Sequence, residues 1–204
     1  MVKHKVFISY HHAYDQQYKN DLEVMNDEYG IFINRSVALG DIDDSKDAQT
    51  IREIIRDDYL RDTSVLILLV GLETKNRKHV DWEVFSSMRN SIKNKKSGIL
   101  VVNLPSIGTT HIRSTHGEAE KIQIHPHIRS WQSIDDRAAF EARFPYMPAR
   151  IIDNFMKTDS YISVVNWDQI YQHPENLKKL IELTYEDRDK CVYDMSRPMR
   201  MRNG

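Results

Sequence analysis

Apolar residues along the chain fall into two alternating patterns: short unbroken runs, and longer stretches in which they recur every three or four positions. KVFISY at 5–10 reads as a short buried strand. Residues 13–29 are polar apart from a series at Tyr14, Tyr18, Leu22 and Met25, a spacing that predicts a helix with one apolar stripe. GIFIN at 30–34 reads as a second strand. The polar loop RSVALGDIDDSK follows at 35–46, and Asp44 or Ser45 can cap a helix in which Ile51, Ile54, Ile55 and Tyr59 recur at helical spacing. SVLILLVG at 64–71 and GILVVNLP at 98–105 are continuous runs rich in branched residues, the pattern of central parallel strands covered on both faces. A helix is predicted between them over 78–94. Strand and helix thus alternate to residue 104, which predicts an α/β fold: a parallel sheet with helices on both faces.

The pattern then loosens. Residues 105–133 show no period and read as a long excursion, of a length uncommon unless functional or mobile. Helices are expected at 135–143 and 147–157, a late strand in YISVVNW at 161–167, and a last helix in PENLKKLIELTYED at 174–187, with Pro174 in its first turn. Leu177, Leu180, Ile181 and Thr184 share one face of that helix. The expected organisation is a core over 1–104 and a C-terminal extension of mixed strand and helix over 105–204, packed on the same domain.

Composition changes this picture only by exclusion. With 204 residues, 40% of them hydrophobic, the chain can bury one sizeable core. A formal net charge of −1 argues against a nucleic-acid partner. The basic tail SRPMRMRNG, with Arg197, Arg200 and Arg202, reads as a frayed terminus. The single cysteine, Cys191, excludes an internal disulfide framework and a Cys-based zinc site. No apolar run approaches the ~20 residues of a membrane span, and the N-terminal one is too short for a signal peptide. A soluble, cytoplasmic protein with no membrane partner is therefore expected. Only seven glycines are present, with no phosphate-cradling loop among them, so kinase, GTPase and dinucleotide-dehydrogenase readings fail. The HPH at 125–127 could hold a metal. It lacks accompanying carboxylates, and ordinary loop histidines, like His111 and His116, are the simpler reading. DIDDSKD at 41–47 lacks the turn glycine and terminal acid of a calcium loop. No metal site is assigned.

Parallel sheets bind ligands beyond the carboxyl ends of their strands, where the strand order reverses. In the order 2-1-3-4-5 that place lies between the first and third strands. It would bring the strand-end residues Ser9, Tyr10 and His11 opposite Trp82 and Glu83, near the start of the helix after the third strand. With Val80, Val84, Met88 and Ile92 as the apolar stripe, Glu83 falls about 60° outside Val80. A carboxylate at that margin can reach a crevice and stay ionised, or simply be solvated.

From residue 4 to 104 these motifs resemble bacterial TIR domains, and most of all the TIR-like subunit of the Thoeris antiphage defence system. The matching features are the strand-Ser-aromatic-His at 6–11 and Thr63-Ser64-Val65 opening the third strand. Gly71, Thr74, Asn76 and Arg77 follow, and then the aromatic-acid pair Trp82-Glu83. The resemblance implies a flavodoxin-like (TIR-like) fold and cleavage of the nicotinamide–ribose bond of NAD+, with Glu83 as the catalytic residue. NAD+ is then substrate and no cofactor is needed. The product implied is a cyclic or linear ADP-ribose-type signalling nucleotide that activates a partner effector protein. Ser9, Tyr10 and His11 would hold the diphosphate or a base; Trp82, about 100° around the helix from Glu83, would stack on a ring or simply pack. Asn34 and Arg35 stand where the loop after the second strand helps bind NAD+ or joins subunits of a homo-oligomer. The alternative is a non-catalytic TIR-like self-association or interaction module. A receiver domain is disfavoured because VLILLVG ends without an aspartate.

Overall fold

The structure is a computed structural model describing residues 2–36, 50, 60, 62–90 and 95–204. Five strands form one sheet: β1 (Lys5–Ser9), β2 (Ile33–Asn34), β3 (Val65–Val70), β4 (Gly98–Asn103) and β5 (Ser163–Asn166). Their order is β2-β1-β3-β4-β5 and every pairing is parallel, so the fold is the α/β parallel sheet the alternation predicts, in the flavodoxin-like form the resemblance implies. In register, Ser9 stands beside Leu68, and Val70 beside Asn103.

β3 is buried at every residue because its alternate side chains feed two cores. Leu66, Leu68 and Val70 meet helices α2 (Lys78–Met88), α4 (Arg137–Arg143) and α5 (Ala149–Phe155). Val65, Ile67 and Leu69 meet α1 (His12–Tyr29), α3 (Gly117–Ile124), α6 (Trp167–Tyr171) and α7 (Pro174–Asp187). Residues 105–204 therefore supply β5 and part of each helical layer.

Several elements depart from the periodicity. The buried positions of α1 are Asp15, Leu22, Met25 and Asn26, whereas Tyr14 is 72% exposed. β2 is only two exposed residues long; the buried Ile31 and Phe32 precede it, after a turn at Gly30. That glycine takes φ 60° to close α1, donating to the Asn26 carbonyl. α2 ends at Met88 rather than reaching 94, because Arg89 is extended; the Ser87 carbonyl accepts from the Ser97 N–H. The segment 105–133 is not wholly irregular. It contains α3, whose buried face is Glu120 and Ile124 and so carries no apolar period. The predicted helix around Ile51–Tyr59 and the DIDDSKD segment lie outside the described residues.

The tail is not frayed. Arg150, 1% exposed, grips Asp81 of α2 through Nε–Oδ1 (2.9 Å) and Nη2–Oδ2 (3.0 Å). Its remaining N–H groups donate to the carbonyls of Arg197 and Pro198, and its plane lies over Phe85. Asp81 also accepts from the Arg200 N–H, while Tyr193 donates to the Ser97 carbonyl and Arg197 pairs with Asp153. Breaking one side of such a buried pair leaves an uncompensated charge. Arg150→Met is expected to lower the unfolding free energy by about 3–5 kcal/mol, measured by urea denaturation, and adding Asp81→Asn should recover part of the loss.

Candidate functional site

The site forms at the carboxyl ends of β1 and β3, where the strand order reverses. β1 delivers Ser9, Tyr10 and His11 in succession, and alternation along the strand sends them different ways. Ser9 turns toward α2, where its hydroxyl donates to Glu83 Oε2 at 2.5 Å. Tyr10 turns to the opposite core; its hydroxyl donates to Gln16 (2.7 Å) and its ring stacks on His12. His11 is 3% exposed and stacks on Tyr14, and its Nδ1 makes no hydrogen bond to the described residues. Burial, and then the charge of Arg77, hold the His11 imidazolium below its ordinary pKa, so the ring is neutral at neutral pH.

Glu83 is 2% exposed, with the Ser9 hydroxyl as its hydrogen-bond partner. Burial pushes its carboxyl up to about 8, and the Ser9 bond offsets this only in part. Among the described residues no cation pairs with it. Of the two expectations, a crevice carboxylate or a solvated one, the burial rules out the solvated one and favours the neutral form of the carboxyl. Its charge would still reach the neighbouring Tyr10, whose phenol is raised first by burial and further by Glu83.

Beside this pair opens a cleft of about 600 Å³ between α1 and the turn that follows β3. His11, Asp15, Glu73 and Arg77 line it; Glu83 lies outside its wall. Asp15 is 3% exposed and raised by burial, with Thr74 hydrogen-bonding to it. A Cβ at Gly71 would meet both Asp15 oxygens at 2.5 Å, so the carboxyl group sits where only glycine leaves room. Thr74 Oγ1 in turn accepts from Gly71 N–H at 2.8 Å.

The other anticipated residues are placed apart. Trp82 is not a stacking platform for a substrate: it is 4% exposed in the core shared by α2 and α5, and its indole N–H donates to the Arg200 carbonyl (2.8 Å). A residue next to Glu83 on a helix points about 100° away, which is what separates them. Asn34 spends its amide on Glu23 (2.6 Å) and on the Ser36 N–H (2.8 Å). Arg35 is exposed beside β1, its backbone N–H on the Val6 carbonyl; most of the loop after it lies outside the described residues. Asp15, Arg77 and Ser36, whose hydroxyl accepts from the Ile8 N–H (2.8 Å), were not singled out by sequence reasoning as site residues. Asp15 did carry a signal, since it lies seven residues before the buried Leu22 and so on the same helix face.

The histidines of the second half have separate employments. His116 bonds Asp187 (2.8 Å), and His125 bonds Gln169 (2.9 Å). No group of His, Cys, Asp and Glu among the described residues is arranged to hold a metal. Nor is any described helix long and apolar enough to cross a membrane.

Comparison with known families agrees with this geometry. The family described as Thoeris protein ThsB, TIR-like domain, matches residues 7–108, half of the 204-residue chain, from β1 through the turn after β4. The chain belongs to this family, and so is a TIR-like domain of an antiphage defence family. No curated protein matches it in a sequence search.

The protonation of Glu83 has a thermodynamic signature. The carboxyl titrates near its ordinary value of 4.5 in the unfolded chain and near 8 in the fold, so its contribution is complete below 4.5 and is lost as pH rises toward 8. Glu83→Gln removes that loss. The stability advantage of the variant should grow by about 1.4 kcal/mol per pH unit between pH 5 and 7.5, in urea denaturation followed across pH. Parallel curves would mean that Glu83 is ionised at rest.

Proposed function

We propose that the protein cleaves the nicotinamide–ribose bond of NAD+ and converts the remainder into an ADP-ribose-type signalling nucleotide, linear or cyclic, that activates a partner effector. The observation that carries this reading is the placement of one buried acid, Glu83, at the strand-order reversal with Ser9 fixed on its oxygen. Such a fixed carboxyl is what the reaction requires. Nicotinamide leaves with the electron pair of the bond from ribose C1′, becoming neutral, and positive charge develops on the ribose as in glycoside cleavage. A preorganised carboxylate stabilises that charge without having to reorient. Water, or a nucleophile on the same molecule, then attacks C1′ and loses its proton.

The neutral resting state fits this chemistry. The positive nicotinamide ring lowers the pKa of a carboxyl beside it, so binding itself would ionise Glu83. From the adjoining cleft, Arg77 and the neutral His11 would hold the diphosphate. Because Glu83 is sealed, turnover requires its cover to move; the enzyme is expected to idle until assembly or an infection cue opens it.

The test is nicotinamide release from NAD+ by purified protein, alone and with extract of phage-infected cells. Glu83→Gln should lower kcat at least about 100-fold. In the parent, kcat/KM should rise about tenfold per pH unit up to a plateau near 8, because the ionised form is the active one. Absence of NAD+ consumption under both conditions, or turnover indifferent to Glu83→Gln, would favour the non-catalytic interaction module.

A further inference from the structure

At the other edge of the sheet, three strands away from β1, lies a second pocket of about 510 Å³. It is within the range of small-molecule sites, roughly 300–1,000 Å³. Its walls combine two chemistries. Trp131, Phe140, Phe144 and Phe155 supply flat apolar surface, and Arg113, Lys121 and Arg143 supply three cations against one carboxylate, Asp135.

Arg113 is the deepest of these charges. Its backbone pairs in both directions with Val164, on the outer side of β5 (2.9 and 2.8 Å). Its guanidinium lies over the Phe155 ring and donates to the carbonyls of Ile162 and Phe155, neutral acceptors that carry no counter-charge. It forms no ion pair among the described residues. The acid whose charge it feels, Glu120, has Oε2 committed to the N–H groups of Thr115 and His116 (2.9 and 2.8 Å). Burial accordingly lowers the Arg113 pKa to about 10. Next to it, the Ser114 hydroxyl is buried and makes no hydrogen bond to the described residues, although it lines the pocket. A half-buried cation outside any ion pair and an orphaned hydroxyl are each costly without a partner. An anionic group in the pocket would answer the cation and offer the hydroxyl an acceptor.

We propose that this pocket binds a nucleoside phosphate, its phosphate received by Arg143, Ser114 and the field of Arg113, and its base laid against Trp131. The fork of a partly exposed arginine suits a phosphate, and Trp131, half-buried, offers a ring for stacking. The site is separate from the Glu83 crevice and does not depend on NAD+ cleavage.

The test uses the full chain labelled with ¹⁵N and titrated separately with AMP, adenosine and inorganic phosphate, following the indole N–H signals of Trp82, Trp131 and Trp167. AMP should shift the Trp131 signal saturably and leave that of Trp82, which is held on the Arg200 carbonyl, in place. Adenosine and phosphate should each bind at least about tenfold more weakly than AMP, since each makes only half the contacts. Arg143→Glu should raise the half-saturating AMP concentration about tenfold or more, and Ser114→Ala, which removes only the orphaned hydroxyl, several-fold. The proposal is overturned if AMP leaves Trp131 unmoved while shifting other signals or none, if adenosine binds as well as AMP, or if both variants bind AMP as the parent does.

Discussion

A carboxyl group removed from water, with a serine hydroxyl for a partner, is the constraint around which the first half of the molecule is arranged. Isolated ions are not stable in such places, and the group answers by keeping its proton. Among the described residues no cation is placed to hold the charged form. Local choices that oppose stability are expected at functional positions. The same burial that disfavours the carboxylate makes it effective once formed, because little water remains to screen it. Under the proposed reaction charge and access would be coupled: the cation that Glu83 would stabilise would also favour its ionisation.

For that coupling to work, the rotation of α2 must be fixed. Asp81 and Glu83 are two residues apart and diverge by about 200° around the helix. One reaches Arg150 and the C-terminal segment; the other reaches Ser9. The helix is thus held from opposite sides by two polar contacts, in addition to Val80, Val84 and Met88 in the core. The last residues extend this grip to the start of the helix, where Asn203 accepts from the Lys78 N–H and Gly204 donates to the Asn76 carbonyl. The second half of the chain contributes little to the cleft, yet it sets the position of the helix that carries the acid.

Legibility in the sequence followed the physics of each element. β3 and β4 could be read because a strand buried on both faces must be apolar throughout. Their alternation with helices gave the sheet, and the rule of strand-order reversal brought Ser9 to Glu83 across 74 residues. The ionisation state could not be read, since it depends on which groups are absent around the carboxyl. α3 escaped because a helix that buries Glu120 beside Ile124 hides its period. The tail was misjudged because its anchors are backbone carbonyls and a buried arginine far away in sequence, and basic residues near a terminus look the same whether solvated or pinned. The two roles open to Trp82 could not be separated for a related reason: an indole at a crevice and an indole in a core have the same sequence context until the partner of its N–H is known.

The two ends of the sheet resolve a common problem differently. An outer strand exposes unpaired N–H and C=O groups, which must be covered or kept short. At β2 the solution is brevity, two residues. At β5 the chain from α3's approach is laid alongside instead, and Arg113 makes the bridge to Val164. That choice carries a consequence, because the residue making the bridge brings a guanidinium out of water with it. Two carbonyl oxygens accept from it but carry no counter-charge, so the cover over β5 leaves a pocket of three cations, one carboxylate and aromatic walls. The requirement to cover a sheet edge thus creates a place for an anion, just as the reversal of strand order at β1 creates a place for an acid.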